Sequence, residues 1–216
     1  MPRVSRGTRA ADSGPPRVSF RAVRARYKEV SGLSHFVIAI TRTCGSGGTT
    51  IAKTLCSRLG IHMYDKNLLR LASDDSGISE ELFRRADETT KKSLLFSISR
   101  SVYSGELIPP ESSDYASNDN LFNFQAKVLR ELAKEESYIC IGRAADFVLR
   151  DYPNLVRIFI HAPFEKCVAH EMERSGITWP EAEEHVKQTD RYRQEYYLYH
   201  TGQKWRDVRN YDLSVN

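Results

Sequence analysis

An apolar run, Phe36-Val-Ile-Ala-Ile40, passes into a glycine cluster, Gly45-Ser-Gly-Gly48, and then into a segment with helical apolar spacing. A continuous apolar stretch of strand length predicts a central strand covered on both faces. Ile51, Ala52, Leu55 and Leu59 recur at helical intervals, and Gly60 is a natural C-terminal cap, so a helix is expected from Thr49 to Leu59. A strand that enters a helix through a glycine loop belongs to α/β architecture, with parallel strands and right-handed crossovers.

The rest of the chain continues the alternation. Ile61 to Tyr64 reads as a second strand, with Asp65 placed either to cap the next helix or to serve a site. Ser79 to Ser101 reads as a helix carrying Leu82, Phe83, Ala86, Leu94, Leu95 and Ile98. A long helix is expected from about Asn120 to Glu136, then strands at Tyr138–Ile141 and Asn154–Ile160. Helices at Phe164–Ser175 and Pro180–Tyr199 and a last strand at Tyr211–Val215 complete the pattern. In such sheets ligands sit beyond the carboxyl ends of the strands, which points to Thr41, Asp65, Arg143 and His161. His161 is read as structural.

Composition narrows the class. The chain is long enough for one sizeable domain, and no window approaches the roughly 18 apolar residues of a membrane span. The net charge of +4 is unevenly distributed. Residues 1–34 hold seven Arg and one Lys against Asp12 and Glu29, which is +6, and the remainder therefore carries −2. That Arg-, Ser-, Gly- and Pro-rich tail is expected to be disordered, with the ordered domain at 35–216. A solvated extension is favoured over a nucleic-acid arm or an organellar transit peptide. No apolar h-region precedes Phe36, and Cys44, Cys56, Cys140 and Cys167 lack metal-ligand spacing, so a reducing cytoplasmic setting is expected.

The glycine loop is suited to a phosphate. Gly45, Gly47 and Gly48 allow close backbone approach, and the start of the following helix turns unpaired N–H groups toward an anion. The strict phosphate-loop pattern is not met: Gly48 stands where lysine belongs and Arg42 where the first glycine belongs. Thr49 holds the hydroxyl position that faces Mg²⁺. The missing cation must be replaced by Arg42 or by an arginine from elsewhere.

Arg42, Gly45-Ser-Gly-Gly48 and Ile51-Ala-Lys53, followed by Tyr64-Asp-Lys66, Ile141-Gly-Arg143, Ala145-Asp146, Met172-Glu-Arg174, Thr189-Asp190, Arg193, Lys204-Trp205 and Asn210-Tyr-Asp-Leu213, resemble the cytidylate kinase-like family of nucleoside-monophosphate kinases. The likeness runs over about 35–216. It implies a three-layer P-loop kinase fold with a parallel sheet and a helical lid, and it implies ATP and Mg²⁺ as co-substrate and cofactor. The family pattern also implies a further C-terminal helix after the Tyr-Asp-Leu strand, which this chain is expected to lack. Thr49 departs from an Arg common at that place in the family.

The implied reaction is phosphoryl transfer from ATP to a nucleoside monophosphate, CMP or dCMP. Another small-metabolite acceptor or a non-catalytic nucleotide-binding module are the alternatives. Gly45, Ser46, Gly47, Gly48, Thr49, Thr50 and Arg174 are the expected ATP and phosphate contacts. Arg193 and Arg191 are expected to reach the transferring group, with Asp190 orienting them. Arg143 suits an acceptor phosphate, and Asp65 and Asp146 suit the rest of the acceptor. Tyr192, Tyr196, Tyr197, Tyr199 and Trp205 are read as a packing face.

Overall fold

The computed structural model describes residues 35–93 and 105–216. In chain order the elements are β1 (Val37–Arg42), α1 (Gly48–Leu59), β2 (His62–Tyr64), α2 (Asn67–Ser76), α3 (Glu80–Ser93) and α4 (Asn118–Glu135). They continue with β3 (Tyr138–Ile141), a single turn α5 (Ala145–Val148), β4 (Leu155–Ile160), α6 (Phe164–Ser175), α7 (Trp179–Thr201), a 3-10 turn (Val208–Asn210) and β5 (Leu213–Val215). The tail expected at 1–34 and Leu94, Leu95 and Ile98, which were expected on a helix, lie outside the described residues.

The five strands form one parallel sheet in the order β2-β3-β1-β4-β5. β1 is central because it is apolar on both faces. Val37 and Ala39 join the core beneath α2 and α4, while Ile38 and Ile40 join a second core with Ala52 and Cys56 of α1. Tyr138 and Cys140 of β3 repeat the first assignment, and Ile139 and Ile141 the second, as the period-two alternation of a strand requires. Helices therefore cover both faces of the sheet, making three layers.

Some boundaries moved for local reasons. α1 begins at Gly48, one residue before the expected start. Ile51 is exposed, so its helix packs through Ala52 and Cys56 with Leu55 and Leu59 beside them. α7 begins at Trp179, where the Glu181 carboxylate accepts from both the Thr178 N–H (2.8 Å) and its hydroxyl (2.7 Å). Asp65 is not a helix cap. Instead the Asn67 side chain accepts the Asp65 N–H at 2.7 Å and donates to the Met63 carbonyl at 3.2 Å. Tyr211 precedes the last strand rather than belonging to it, and its hydroxyl donates to the Trp205 carbonyl at 2.7 Å. Among the described residues no helix is long and apolar enough to cross a membrane.

Candidate active site

The ends of β1 and β3, the loop between β1 and α1, and one face each of α6 and α7 enclose a cleft of about 630 Å³. Its walls carry six cationic side chains, Arg42, Lys66, Arg84, Arg143, Arg174 and Arg193, against the carboxylates of Asp65, Glu80 and Glu171. A concave site with that excess of positive charge is suited to a polyanion.

Arg42 explains the unusual glycine loop. It is the last residue of β1, and its side chain runs between Gly48 and Gly142. A Cβ on Gly48 would lie 2.6 Å from the Arg42 Cβ, and a Cβ on Gly142 would lie 2.9 Å from Arg42 Nη1. The place that carries lysine in the strict motif thus has no room for a side chain, because arginine fills the space from the opposite wall. Buried Arg42 Nε has no hydrogen-bond partner among the described residues. Burial, together with the positive charges of Arg193 and Arg143 and against the opposing pull of Asp65, lowers the Arg42 pKa to about 10. Gly45 is in the left-handed region at φ 74°, and a Cβ there would meet the Cys167 carbonyl oxygen at 2.3 Å. The loop is therefore seated on α6.

α7 is tied to this loop through Asp190. Its carboxylate accepts the Cys44 N–H at 2.7 Å and an Arg206 N–H at 3.1 Å, and it lies 3.5 Å from Arg193 Nη1. Burial pushes the Asp190 carboxyl above its ordinary range, against the pull of the Cys44 N–H and the two arginines. Arg193 also donates to the Arg42 carbonyl at 3.1 Å. Arg191, which the sequence placed beside it, points away from the cleft. Two positions earlier on a helix is the opposite face, and Arg191 is exposed and paired with Glu195 at 2.9 Å.

The turn after β3 is strained. Arg143 (φ 60°) and Ala144 (φ 49°) follow Gly142 (φ 71°) in the left-handed region. For a residue with a Cβ that conformation costs about 1–2 kcal/mol, and it is held where the surroundings over-determine it. It places Arg143 on the cleft wall across from the glycine loop, with Asp65 on the same cleft. Asp146 does not line the cleft. It is buried behind the wall, where it accepts the Tyr197 hydroxyl at 2.6 Å. Burial raises its pKa to about 6, with Tyr197 and the helix amides pulling it back down.

Of the other expected contacts, Gly45, Gly47, Gly48, Thr49, Thr50 and Arg174 face the cleft, and Cys44, which was not expected there, joins them. Ser46 instead turns its hydroxyl onto the Thr43 carbonyl at 2.8 Å. Arg174 pairs with Glu171 one turn earlier. Tyr192 and Tyr196 line the cleft rather than forming only a packing face, while Tyr197 and Trp205 are buried in its back wall and Tyr199 donates to Asp119 at 3.0 Å. His161 stacks on Phe159. Sequence reasoning missed Lys66, Glu80, Arg84, His170, Glu171 and His185. His185, Thr189, Tyr192, Arg193 and Tyr196 are spaced at three and four residues, so one stripe of α7 was legible as a single face. On α3 and α6 the same spacing is confined to a single turn, Glu80 with Arg84 and His170 and Glu171 with Arg174, too short to mark a face.

Comparison with known proteins agrees with this architecture. The cytidylate kinase-like family matches residues 37–216. A protein named cytidylate kinase from Thermosipho melanesiensis is 33% identical over 142 residues, covering 59% of this chain and 64% of that protein, so the likeness spans less than two thirds of the relative. The crystal structure of an uncharacterized protein from Eubacterium ventriosum superposes with a TM-score of 0.59 at 26% identity, covering 83% of this chain and 86% of that one.

Proposed function

The chain belongs to the cytidylate kinase-like family, and on that premise we propose that it transfers the γ-phosphoryl group of ATP to a nucleoside monophosphate, with CMP or dCMP as acceptor. The observation that carries this reading is the threading of Arg42 between Gly48 and Gly142, with its Nε unpartnered and Arg143 and Arg193 close enough to depress its pKa. Guanidinium groups brought together at a glycine loop are stabilised by phosphate oxygens, and phosphoryl transfer depends on cations placed around both phosphates.

In this mechanism the loop amides from Gly45 to Thr49 hold the phosphates of ATP. Arg42 supplies the charge that lysine supplies in the strict motif. Mg²⁺, when bound with ATP, neutralises phosphate charge, and the Thr49 hydroxyl is the group that would face it. Arg143 holds the acceptor phosphate with Asp65 beside it, and Arg193, oriented by Asp190, stabilises charge developing in transfer. Asp146 acts indirectly, by fixing Tyr197 in the wall. The catalytic unit is residues 35–216.

The test is an ADP-release assay of the full chain with ATP against a panel of nucleoside monophosphates. Acceptor-dependent ADP release, largest with CMP or dCMP, is expected. ATP binding without ADP release for any acceptor would instead assign a nucleotide-binding module.

A further inference from the structure

We propose that Cys44, Glu171 and His185 form a binding site for a divalent transition metal of the Zn²⁺ type in the wall of the cleft. These residues come from the glycine loop, α6 and α7, and their Sγ, carboxylate oxygen and ring nitrogen all lie within 4.8 Å of one another. A tetrahedral Zn²⁺ site with bonds of about 2.0–2.3 Å has ligand–ligand edges of roughly 3.3–3.7 Å. His185 Nε2 and Glu171 Oε2 are already 4.0 Å apart, so a contraction within side-chain reach closes the site. A thiolate, an imidazole and a carboxylate are a donor set that selects Zn²⁺ over Mg²⁺ or Ca²⁺.

The charge balance favours occupancy. Glu171 is buried, with 5% of its side chain exposed, and a buried carboxylate needs a cation, a role Arg174 fills in the metal-free protein. Binding replaces that contact by Glu171 to metal. The Cys44 thiol gives up its proton to solvent, and the two resulting anions cancel the 2+ of the metal. Three protein ligands leave a fourth position, open toward the cleft, for water or a phosphate oxygen. The site stands on this trio alone and does not depend on the phosphotransfer reading.

The test is titration of the tag-free full chain with Zn²⁺ by calorimetry and with Co²⁺ by absorption, without nucleotide. One metal per chain is expected, with a sulfur-to-cobalt charge-transfer band. Cys44→Ser should abolish the band while Cys56→Ser retains it. His185→Ala, at a half-exposed side chain whose loss does not threaten the fold, should weaken Zn²⁺ binding at least tenfold. Absence of the band in the wild type, its survival in Cys44→Ser, or unchanged Zn²⁺ affinity in His185→Ala would overturn the assignment.

Discussion

Arg193 donates to the main-chain carbonyl of Arg42 at 3.1 Å, so the middle of α7 is fastened to the carboxyl end of the central strand. The same guanidinium lies 3.5 Å from Asp190, which accepts the Cys44 N–H. α7 is thus already in contact with the glycine loop.

If Arg193 acts mainly on charge that develops during transfer, Arg193→Ala should lower kcat by roughly 10²-fold with a small change in the KM for ATP. Arg143→Ala should chiefly raise the acceptor KM. Arg193→Lys should recover only part of the loss, because an ammonium lacks the planar fork. Steady-state kinetics on the three variants decides this, and full activity in Arg193→Ala would remove α7 from the mechanism.

The loop glycines should separate by mechanism. Gly45→Ala drives a Cβ into the Cys167 carbonyl and adds left-handed strain, with an expected loss of about 3 kcal/mol. Gly47 is also left-handed, but a Cβ there meets nothing within 4 Å, so Gly47→Ala should cost only about 1 kcal/mol. Gly48→Ala should displace Arg42 and weaken ATP binding about tenfold or more in a folded protein. Urea melts and nucleotide titrations test the set. Equal stability losses at Gly45 and Gly47 would sink the steric account.

Asp146 should make the protein less stable as pH rises. Its folded pKa of about 6 lies above the ordinary 3.8, so between those values the folded state holds a proton that the unfolded state has released. The contribution is greatest below about pH 4 and declines through pH 6, by about 3 kcal/mol at 1.36 kcal/mol per pKa unit. Asp146→Asn keeps an acceptor for Tyr197 and loses that slope. A stability difference between the two proteins that does not change from pH 4 to pH 7 would contradict the assignment.

His200 should act in the opposite direction. It is buried, stacked on Phe122 with ring centroids 3.9 Å apart, and burial lowers its pKa to about 3 from 6.5. Between those values the unfolded chain binds a proton that the folded protein refuses, so stability is complete above pH 6.5 and is lost as pH falls toward 3. His200→Phe preserves the stack and should flatten this acid limb in melts from pH 7 to pH 4. An unchanged limb would place the acid sensitivity elsewhere.

What the sequence determined by itself was the layer architecture and the glycine loop between strand and helix. β1, α1, β3 and β4 are written in local periodicity, and glycine at 45, 47 and 48 announces a backbone that must pass close to something. Those signals are short-range, and a chain read in order contains them. Family likeness supplied Arg193 and Asp190 as site residues and the strand-end rule supplied Arg143; Arg193 and Arg143 face the cleft while Asp190 holds the loop. The tertiary structure decided everything that depends on which way a side chain points after the elements have packed. It turned Arg191 outward to Glu195 and Ser46 onto its own loop, buried Asp146 against Tyr197, and freed Asp65 from capping a helix. It also brought Cys44, Glu171 and His185 within 4.8 Å of one another from three elements, a grouping without any spacing signal, because the ligand distances are set by packing of α6 and α7 on the loop and not by the chain between them.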